Sequence, residues 1–339
     1  MPRFRQFNQW EKIMSNKVSI RQASRMLEKL ITTLGPSGRY LLMGAPGVAK
    51  SSIMRQLAAK LGYTLVDIRL AMLSPEQIAG YPYLDNGVMK YALPDWFPAG
   101  DKILLFVDEL GQAPIAVQNV ALQLILDRRV GGHHLPADCI IVGATNRPED
   151  RAGAGALTTA LYSRFTTVVT IEPEKAEVID YFNSIGVNAL LTAWIERMLD
   201  SVLQFDPREK GGQRSPRTLE EAGKLLTVYE NDADHPDLSA ALHGVIGSAD
   251  AASLLAFIAT VNSMPTYAEI LADPETAAMD VALVGPIAGI IAANLKYAHV
   301  PKVMRYVWRF PKEQQATMLA SMPLDHPDID DARKALKMA

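Results

Sequence analysis

The sequence predicts an α/β fold in which a parallel sheet, covered by helices on both faces, is followed by an all-helical region. Three observations support this prediction. Up to about residue 172, short apolar runs rich in β-forming residues alternate with segments of helical periodicity. A glycine-containing loop joins the first apolar run to a helical segment. Beyond Glu172, runs of the β type stop and helical periodicity continues toward the C-terminus.

The predicted strands are near-continuous apolar runs, which are typical of parallel strands buried on both faces. They are Tyr40–Met43, Thr64–Ile68, Ile103–Val107, Cys139–Val142 and Thr166–Ile171. Helical periodicity precedes or separates them at Ile20–Leu34, Ser51–Leu61 and Ile115–Leu126. Later helices are expected at Ala176–Asn183, Ala189–Leu203, Thr218–Tyr229, Asp250–Val261, Pro274–Asn294, Pro311–Met322 and Ile329–Lys337. We therefore expect a five-stranded parallel sheet followed by helices alone.

The composition is ordinary for a soluble globular protein. The 339 residues are 49% hydrophobic and 21% charged with a net charge of −3, which gives no general electrostatic reason for binding nucleic acid or membrane. Cys139 is the single cysteine, so a disulfide framework is excluded and a reducing compartment is favoured. The N-terminus lacks an apolar signal segment, and Val281–Ala293 is shorter than the ~18 residues of a spanning helix. We expect a cytoplasmic protein that makes no membrane contact.

The loop between the first apolar run and its helix has the pattern of a phosphate-binding loop. It consists of Gly44, Ala45, Pro46, Gly47, Val48, Ala49, Lys50 and Ser51, followed by Ser52. Such a loop aims backbone N–H groups and the positive end of a helix dipole at a phosphate chain. Lys50 would reach the β- and γ-phosphates, and the Ser51 hydroxyl would bind Mg²⁺. The strict pattern has glycine where this chain has Ala49, and such an imperfect loop can also arise by chance.

Two carboxylates follow the third predicted strand. Asp108 and Glu109 end the apolar run, and the carboxyl ends of parallel strands are where ligands bind in open α/β sheets. Asp108 would hold Mg²⁺, and Glu109 would polarise an attacking water molecule. In isolation the pair could equally be solvated acids at a strand end. After a phosphate loop it indicates a nucleoside triphosphatase.

The fourth predicted strand ends in Thr145 and Asn146 at the same edge of the sheet. A neutral amide there can hydrogen-bond both the γ-phosphate and the attacking water, although an asparagine at a strand end is often only a turn residue. The residues that follow, Arg147 and Pro148, do not form the Asn-Lys-x-Asp pattern that reads guanine. ATP is therefore favoured over GTP.

These motifs resemble those of the AAA+ ATPases and, within them, the MoxR-like group. The loop with alanine before the lysine is similar to that group's Gly-x-Pro-Gly-x-Ala-Lys pattern. Asp108–Pro114 with the following helix, and Arg128–Pro136 before the Asn146 strand, also resemble the group. One departure is Gly111-Gln112, where the group has Asn-Arg. The resemblance covers about residues 36–230.

The resemblance implies roles for two arginines. Arg164, before the last strand, would act as an arginine finger on the γ-phosphate of a neighbouring subunit, with Arg147 and Arg151 as reserve candidates. Arg217, in the Ser-Pro-Arg segment that starts a helix, would contact nucleotide from the same subunit. The alternatives are a surface ion pair for Arg164 and a solvated helix-start arginine for Arg217, and Arg214 lies close enough to be confused with it.

An Asn86-Gly87 turn between alternating apolar residues predicts a β-hairpin within residues 80–93. In the resembled group an insertion into the second helix projects here toward the pore of a ring. Tyr81, Tyr83 and Tyr91 would then contact a substrate or partner. An ordinary surface hairpin packed by its own aromatic side chains is an equal alternative.

The resemblance implies an ATP-hydrolysing, Mg²⁺-dependent ring, most simply a hexamer, that remodels a protein client as a chaperone does, often beside a partner with a von Willebrand factor A-type domain. Relatives occur in bacterial and phage genomes, so the cytoplasm would be that of a bacterium or of a phage host. The expected regions are an N-terminal helix and linker (1–35), an α/β nucleotide-binding core (36–174), and an α-helical lid with a C-terminal helical extension (175–339). Alternatives are an ATP-gated scaffold with little hydrolysis and a nucleic-acid-associated motor.

Overall fold

The computed structural model describes residues 17–150, 157–205, 211–323 and 325–336. The chain divides into two compact units. The first contains the described residues up to Asn231 together with His235–Ala252, and the second contains Asp232–Asp234 and the chain from Ser253 onward. All the motifs introduced above that fall on described residues belong to the first unit.

The first unit is built on a six-stranded sheet in which every pairing is parallel. The strands of the chain are β1 (Lys17–Val18), β2 (Arg39–Met43), β3 (Thr64–Arg69), β4 (Pro82–Asp85), β5 (Val88–Tyr91), β6 (Ile103–Asp108), β7 (Arg129–Val130), β8 (His133–His134), β9 (Ile140–Thr145) and β10 (Thr167–Ile171). The order in the sheet is β1-β10-β2-β9-β6-β3, while β4 pairs with β5 and β7 with β8 as antiparallel hairpins.

All five predicted strands are present, but the sheet has a sixth strand, and the expectation of five is corrected accordingly. The additional strand β1 has two residues, Lys17 and Val18, paired with Thr170 and Ile171 of β10. Its pairing is continued by the backbone N–H of Glu172, which donates to the carbonyl of Val18 at 2.9 Å. A two-residue edge strand held by backbone bonds has no apolar run, so the sequence pattern could not reveal it.

Helices cover both faces of the sheet. They are α1 (Ile20–Leu34), α2 (Lys50–Leu61), α3 (Pro75–Ala79), α4 (Ile115–Asp127), α5 (Thr159–Tyr162), α6 (Lys175–Ser184), α7 (Ala189–Met198), α8 (Pro216–Val228) and α9 (Pro236–Ile246). Alternate residues of β2 enter different cores: Leu41 and Met43 pack on the side of α4, while Tyr40 and Leu42 pack on the side of α1 and α2. This alternation confirms the prediction of strands buried on both faces.

The N-terminus of α1 is fixed by one carboxylate from α6. The two carboxylate oxygens of Glu177 accept from the backbone N–H groups of Ile20 at 2.8 Å and Arg21 at 3.0 Å, and Oε1 also accepts from Glu174 at 3.0 Å. Glu177 is buried, and an anion at a helix N-terminus is stabilised by the helix dipole. Helix α1 is thereby joined to α6 at the edge of the site described below.

The remaining helices are α10 (Ser248–Asn262), α11 (Tyr267–Ala272), α12 (Val284–Asn294), α13 (Val300–Val307), α14 (Lys312–Ser321) and α15 (Pro327–Ala335). The core of the second unit includes Ile287, Val303 and Met318 from three of these helices. The Tyr306 hydroxyl donates to the carbonyl of Ala278 at 2.7 Å, and burial raises the pKa of Tyr306 to about 12.

The sequence analysis missed helices α3, α5, α9, α11 and α13, and it predicted two helices longer than they are. Helices α9 and α13 escape the pattern because Pro236 and Pro301 stand in their first turns, where proline is tolerated but reads as a break. The helix expected over Ala189–Leu203 ends at Met198. The helix expected over 274–294 begins at Val284, after a 3₁₀ turn capped by the Asp280 side chain.

One apolar segment passes a test for membrane crossing on length and composition alone. It is Ser248–Ala272, with a mean hydropathy of 1.3 in its most apolar window. The segment consists of α10 and α11, which are separated by residues 263–266. Core helices of soluble proteins have the same length and composition.

Candidate nucleotide-binding site

The sheet order brings three predicted motifs to one edge. Strand β9 lies between β2 and β6, with Met43 opposite Thr145 and Val107 opposite Gly143. Because all three strands run in the same direction, the loop after β2, Asn146 after β9 and Asp108 at the end of β6 are adjacent. This is the carboxyl edge at which open α/β sheets bind ligands.

The loop from Gly44 to Ala49 ends in a left-handed residue that begins α2. Gly47 has φ of +79°, and Ala49, the N-cap of α2, has φ of +67°. A non-glycine residue in this region costs roughly 1–2 kcal/mol, which is a physical reason for the glycine of the strict pattern at that position. Val48 is buried in the core and anchors the loop. The alanine is therefore compatible with the loop conformation at a modest cost.

The Lys50 ammonium is held inside this loop. Its Nζ donates to the carbonyls of Gly44 at 2.8 Å and Ala45 at 3.1 Å, and to Oδ1 of Asn146 at 2.9 Å. Burial lowers the pKa of Lys50 to about 8, an effect opposed by the nearby carboxylates of Asp108 and Asp150. The three acceptors carry no formal charge, so the buried cation lacks a directly bonded anion among the described residues.

Two oxygen ligands suited to a magnesium ion lie beside the loop. The Ser51 hydroxyl donates to Oδ2 of Asp108 at 3.1 Å. Hydroxyl and carboxylate oxygens fit Mg²⁺, which is commonly held by one or two protein oxygens together with water and substrate phosphates. The described residues contain no cluster of three or more His, Cys, Asp or Glu side chains that could bind a metal without such help.

Glu109 follows Asp108 in a left-handed conformation, with φ of +59°. Its backbone N–H donates to Oδ1 of Asp108 at 2.8 Å, and its carbonyl accepts from Gln112 and Ala113. Non-glycine residues with positive φ are uncommon and often occur at functional sites. The turn places Glu109 in the lining of the same cavity as Lys50, Ser51 and Asn146.

The start of α8 closes on the phosphate loop. Ser215 caps α8 by accepting from the N–H of Thr218, and a Cβ on Gly47 would lie 2.6 Å from the Ser215 hydroxyl oxygen. Arg217, in the first turn, lines the cavity. Arg214 is engaged elsewhere, since it bonds Oδ1 of Asp250 at 2.9 Å and Oε1 of Gln204 at 2.8 Å. The geometry thus favours Arg217 over Arg214 as the nucleotide-facing arginine.

The cavity between these elements has a volume of about 720 Å³, within the range of small-molecule sites. From the predicted set it is lined by Pro46, Gly47, Val48, Ala49, Lys50, Ser51, Ser52, Asp108, Glu109, Asn146 and Arg217. Sequence reasoning missed the lining contributed by α1 and α6, which includes Ile20, Arg21, Glu177 and Tyr181. These residues belong to no local motif. The capping of α1 by Glu177 and the ion pair of Arg21 with Asp180 join the two helices at the site.

The three candidate finger arginines differ in their surroundings. Arg164 lies outside the lining of the cavity, and its described hydrogen bond is to Oγ of Ser163 at 3.3 Å. The Arg147 side chain is 10% exposed and is bound through its guanidinium to both oxygens of Asp150, at 2.8–3.3 Å. Arg151 lies outside the described residues. Arg147 is therefore committed within its own subunit, whereas Arg164 has no ion pair among the described residues.

The hairpin of β4 and β5 forms as predicted, with Asn86 and Gly87 both at positive φ in its turn. Tyr81 is 62% exposed and Leu84 is 78% exposed. At its base, His133 contacts the carbonyl of Tyr91 at 2.8 Å. Aromatic and aliphatic side chains of the hairpin are therefore exposed rather than packed against one another.

In comparisons with known proteins, the chain is similar to MoxR proteins. A family model described as the MoxR domain in the MoxR-vWA-beta-propeller ternary systems matches residues 11–197. Chaperone MoxR1 of Mycobacterium tuberculosis is 29% identical over 164 residues, which are 46% of this chain and 43% of that protein. The match thus spans less than half the length of that relative.

Solved structures give weaker similarities. NtrX from Brucella abortus is 16% identical with a TM-score of 0.44, over 95% of this chain and 68% of that chain. The Thermotoga maritima RuvB Holliday junction branch migration motor is 16% identical with a TM-score of 0.40, over 88% of this chain and 80% of that chain.

The lowered pKa of Lys50 predicts proton uptake when a triphosphate binds. Without ligand, the ammonium loses its proton near pH 8 instead of near 10.5, because burial disfavours the charged form. A bound phosphate chain favours the charged form, so binding at pH 9 should take up most of one proton, whereas binding at pH 6.5 should take up almost none at this group. Above pH 8.5 the affinity should fall by about tenfold per pH unit.

Calorimetry of ATP binding in buffers of different ionisation enthalpy measures this uptake. The control is Lys50→Arg, which stays charged at these pH values and should show no uptake at pH 9. Equal proton uptake by the wild-type and Lys50→Arg proteins at pH 9 would contradict the assignment to Lys50.

Proposed function

Since the chain belongs to the MoxR family of AAA+ ATPases, we propose that it binds ATP with Mg²⁺ in the cavity described above and hydrolyses the terminal phosphate. The observation that carries the proposal is the convergence on one sheet edge of a loop-bound Lys50, the Ser51–Asp108 pair, Glu109 and Asn146. Each residue type has a separate use in phosphoryl transfer: binding the phosphates, holding Mg²⁺, accepting a proton and orienting the water.

In the proposed binding step, the α2 N-terminus and the loop N–H groups receive the phosphate chain. Lys50 exchanges its carbonyl and amide partners for the β- and γ-phosphate oxygens, so the buried cation gains the anionic partner that it lacks. A magnesium ion held by Ser51 and Asp108 would neutralise charge that develops on the phosphates. Arg217 would contact the phosphates from α8.

In the proposed chemical step, water attacks the γ-phosphorus while the bond from that phosphorus to the bridging oxygen of ADP breaks. Glu109 accepts the proton of the attacking water, and ADP leaves with its negative charge balanced by Lys50. The Asn146 amide lies 2.9 Å from the Lys50 ammonium and would orient both the water and the γ-phosphate. The neutral amide does this without repelling the phosphate.

We further propose that the chain works as a ring, most simply a hexamer. Arg164 has no target in the cavity of its own subunit, and Arg147 is already paired with Asp150. An arginine supplied by a neighbouring subunit would complete the charge stabilisation, as arginine fingers do in related chemistry. Assembly would then be required for fast hydrolysis.

The work done by this ring is proposed to be the remodelling or assembly of a protein client in the cytoplasm. A relative that matches part of the chain is named a chaperone, and the matching family model is described from systems that contain a vWA component. A protein with a von Willebrand factor A-type domain is therefore the proposed partner. The exposed tyrosines and aliphatic residues of the β4–β5 hairpin would contact the client.

Replacement of the proposed general base tests hydrolysis. We expect Glu109→Gln to lower the ATPase rate by about 100-fold or more while ATP binding is retained, since the amide cannot accept the proton. Glu28→Gln is the control, because among the described residues the Glu28 carboxylate pairs with Lys60 at the surface, and the loss of this pair should leave the rate unchanged. Phosphate release and equilibrium ATP binding are the measurements.

Three outcomes of this comparison oppose the proposal. Equal, near-zero rates in wild type and Glu109→Gln would indicate an ATP-gated scaffold. An undiminished rate in Glu109→Gln would remove this residue from the reaction. If phosphate release by the wild-type protein, assayed with and without DNA, depends on the added DNA, a nucleic-acid motor would be favoured.

Mixing of two inactive variants tests the shared site. Arg164→Ala should bind ATP but hydrolyse it slowly, and mixing it equally with Glu109→Gln should restore about a quarter of the wild-type rate, because that share of interfaces pairs an intact Glu109 with an intact Arg164. An equal mixture of Arg147→Ala with Glu109→Gln is the matched control and should have about half the rate of Arg147→Ala alone, because Arg147 serves its own subunit and mixing only dilutes the intact Glu109. Full activity of Arg164→Ala alone, or no recovery on mixing, would contradict a trans-acting Arg164.

A further inference from the structure

Thr145 occupies a junction between three parts of the site. Its backbone carbonyl accepts from the N–H of Gly44, the first residue of the phosphate loop, at 3.3 Å. Its hydroxyl oxygen accepts from the N–H of Gly111 at 3.2 Å, in the turn that carries Glu109. Asn146 follows it directly, and the residue is 3% exposed.

The Glu109 turn is attached to β9 at two consecutive residues. The N–H of Leu110 donates to the carbonyl of Ala144 at 3.0 Å, and the N–H of Gly111 donates to the Thr145 hydroxyl. The second bond uses a side chain, since the Thr145 carbonyl accepts from the N–H of Gly44 instead. Glu109 itself has a backbone conformation, with φ of +59°, that persists only when its surroundings hold it.

The residue at position 111 fits this arrangement. A Cβ on Gly111 would lie 2.5 Å from the Thr145 hydroxyl oxygen, well inside contact distance. The absence of a side chain allows the Gly111 N–H to approach the hydroxyl. Gly111 stands where the resembled group has asparagine, and its backbone N–H makes a close contact with the Thr145 hydroxyl.

We propose that Thr145 is a positioning residue for hydrolysis, whose hydroxyl fixes the left-handed turn and thereby the direction of the Glu109 carboxylate. This inference rests on the proposed function for its kinetic consequence. The hydroxyl touches neither nucleotide nor water in this role. It accepts from the Gly111 N–H and donates to the Asn146 carbonyl at 3.2 Å, and it acts on Glu109 through the first of these two bonds. Its loss releases one end of the turn, so Glu109 reaches the productive orientation less often while the phosphate loop still binds ATP.

The sequence offers a closely matched control. Thr145 and Thr170 are register partners of the same residue, Met43, on its two sides in the sheet. Thr170 is 1% exposed, and its hydroxyl oxygen has no hydrogen-bond partner in the described part of the chain. Thr170→Val therefore makes the same chemical change in a similarly buried position without removing a bond from the Glu109 turn.

The test compares Thr145→Val, Thr145→Ser and Thr170→Val with the wild-type protein. We expect Thr145→Val to lower kcat about tenfold with the dissociation constant for ATP changed less than twofold. Thr145→Ser keeps the hydroxyl and should recover most of kcat, and Thr170→Val should retain wild-type values. Hydrogen exchange of the peptide over residues 109–113 should become faster in Thr145→Val alone.

Several results would overturn the inference. They are a wild-type kcat in Thr145→Val, an equal loss in Thr145→Ser, an equal loss in Thr170→Val, or unchanged exchange over 109–113. A wild-type protein without turnover would refute the proposed function instead, and the exchange measurement would then decide whether Thr145 holds the turn. The two failures are thereby distinguished.

Discussion

The parallel pairing of β9 with β2 on one side and β6 on the other is the constraint on which the rest of the site depends. It aligns three strand ends, so that the phosphate loop, Asn146 and the two carboxylates meet although they are far apart in the chain. The pairing is maintained by a sheet that is apolar on both faces, with Leu41 and Leu42 of β2 entering different cores. Burial of the sheet therefore provides the rigidity of the site.

A second feature is the buried positive charge of Lys50 at the carboxyl edge of the sheet. Lys50 is surrounded by neutral acceptors, and its pKa is lowered to about 8 by burial. Burying a cation without a bonded anion is costly, and a triphosphate removes that cost. Binding of the ligand and relief of this local penalty are thus the same event. The left-handed Glu109 adds a different, conformational strain at the end of β6.

The sequence was sufficient to predict the elements of the fold and the site that depend on local patterns. The five apolar strands, the phosphate loop, the Asn86-Gly87 hairpin and the capped start of α8 each follow from a few adjacent residues. Long-range features could not be predicted in the same way. The edge strand β1 and the capping of α1 by Glu177 depend on backbone groups about 150 residues away, and helix α9 begins with a proline that resembles a break. The ion pair of Arg214 with Asp250, which distinguishes the roles of Arg214 and Arg217, also joins residues far apart in the chain and could not be predicted from the sequence.

The most direct test of the central claim is an experimental structure of the Glu109→Gln protein with ATP and Mg²⁺. We predict that the phosphates lie in the 44–51 loop, with the Lys50 ammonium transferred from the Gly44 and Ala45 carbonyls to the β- and γ-phosphate oxygens, and with Mg²⁺ beside Ser51 and Asp108. Nucleotide bound elsewhere, or a Lys50 that keeps its carbonyl partners while ATP occupies the cavity, would contradict the account.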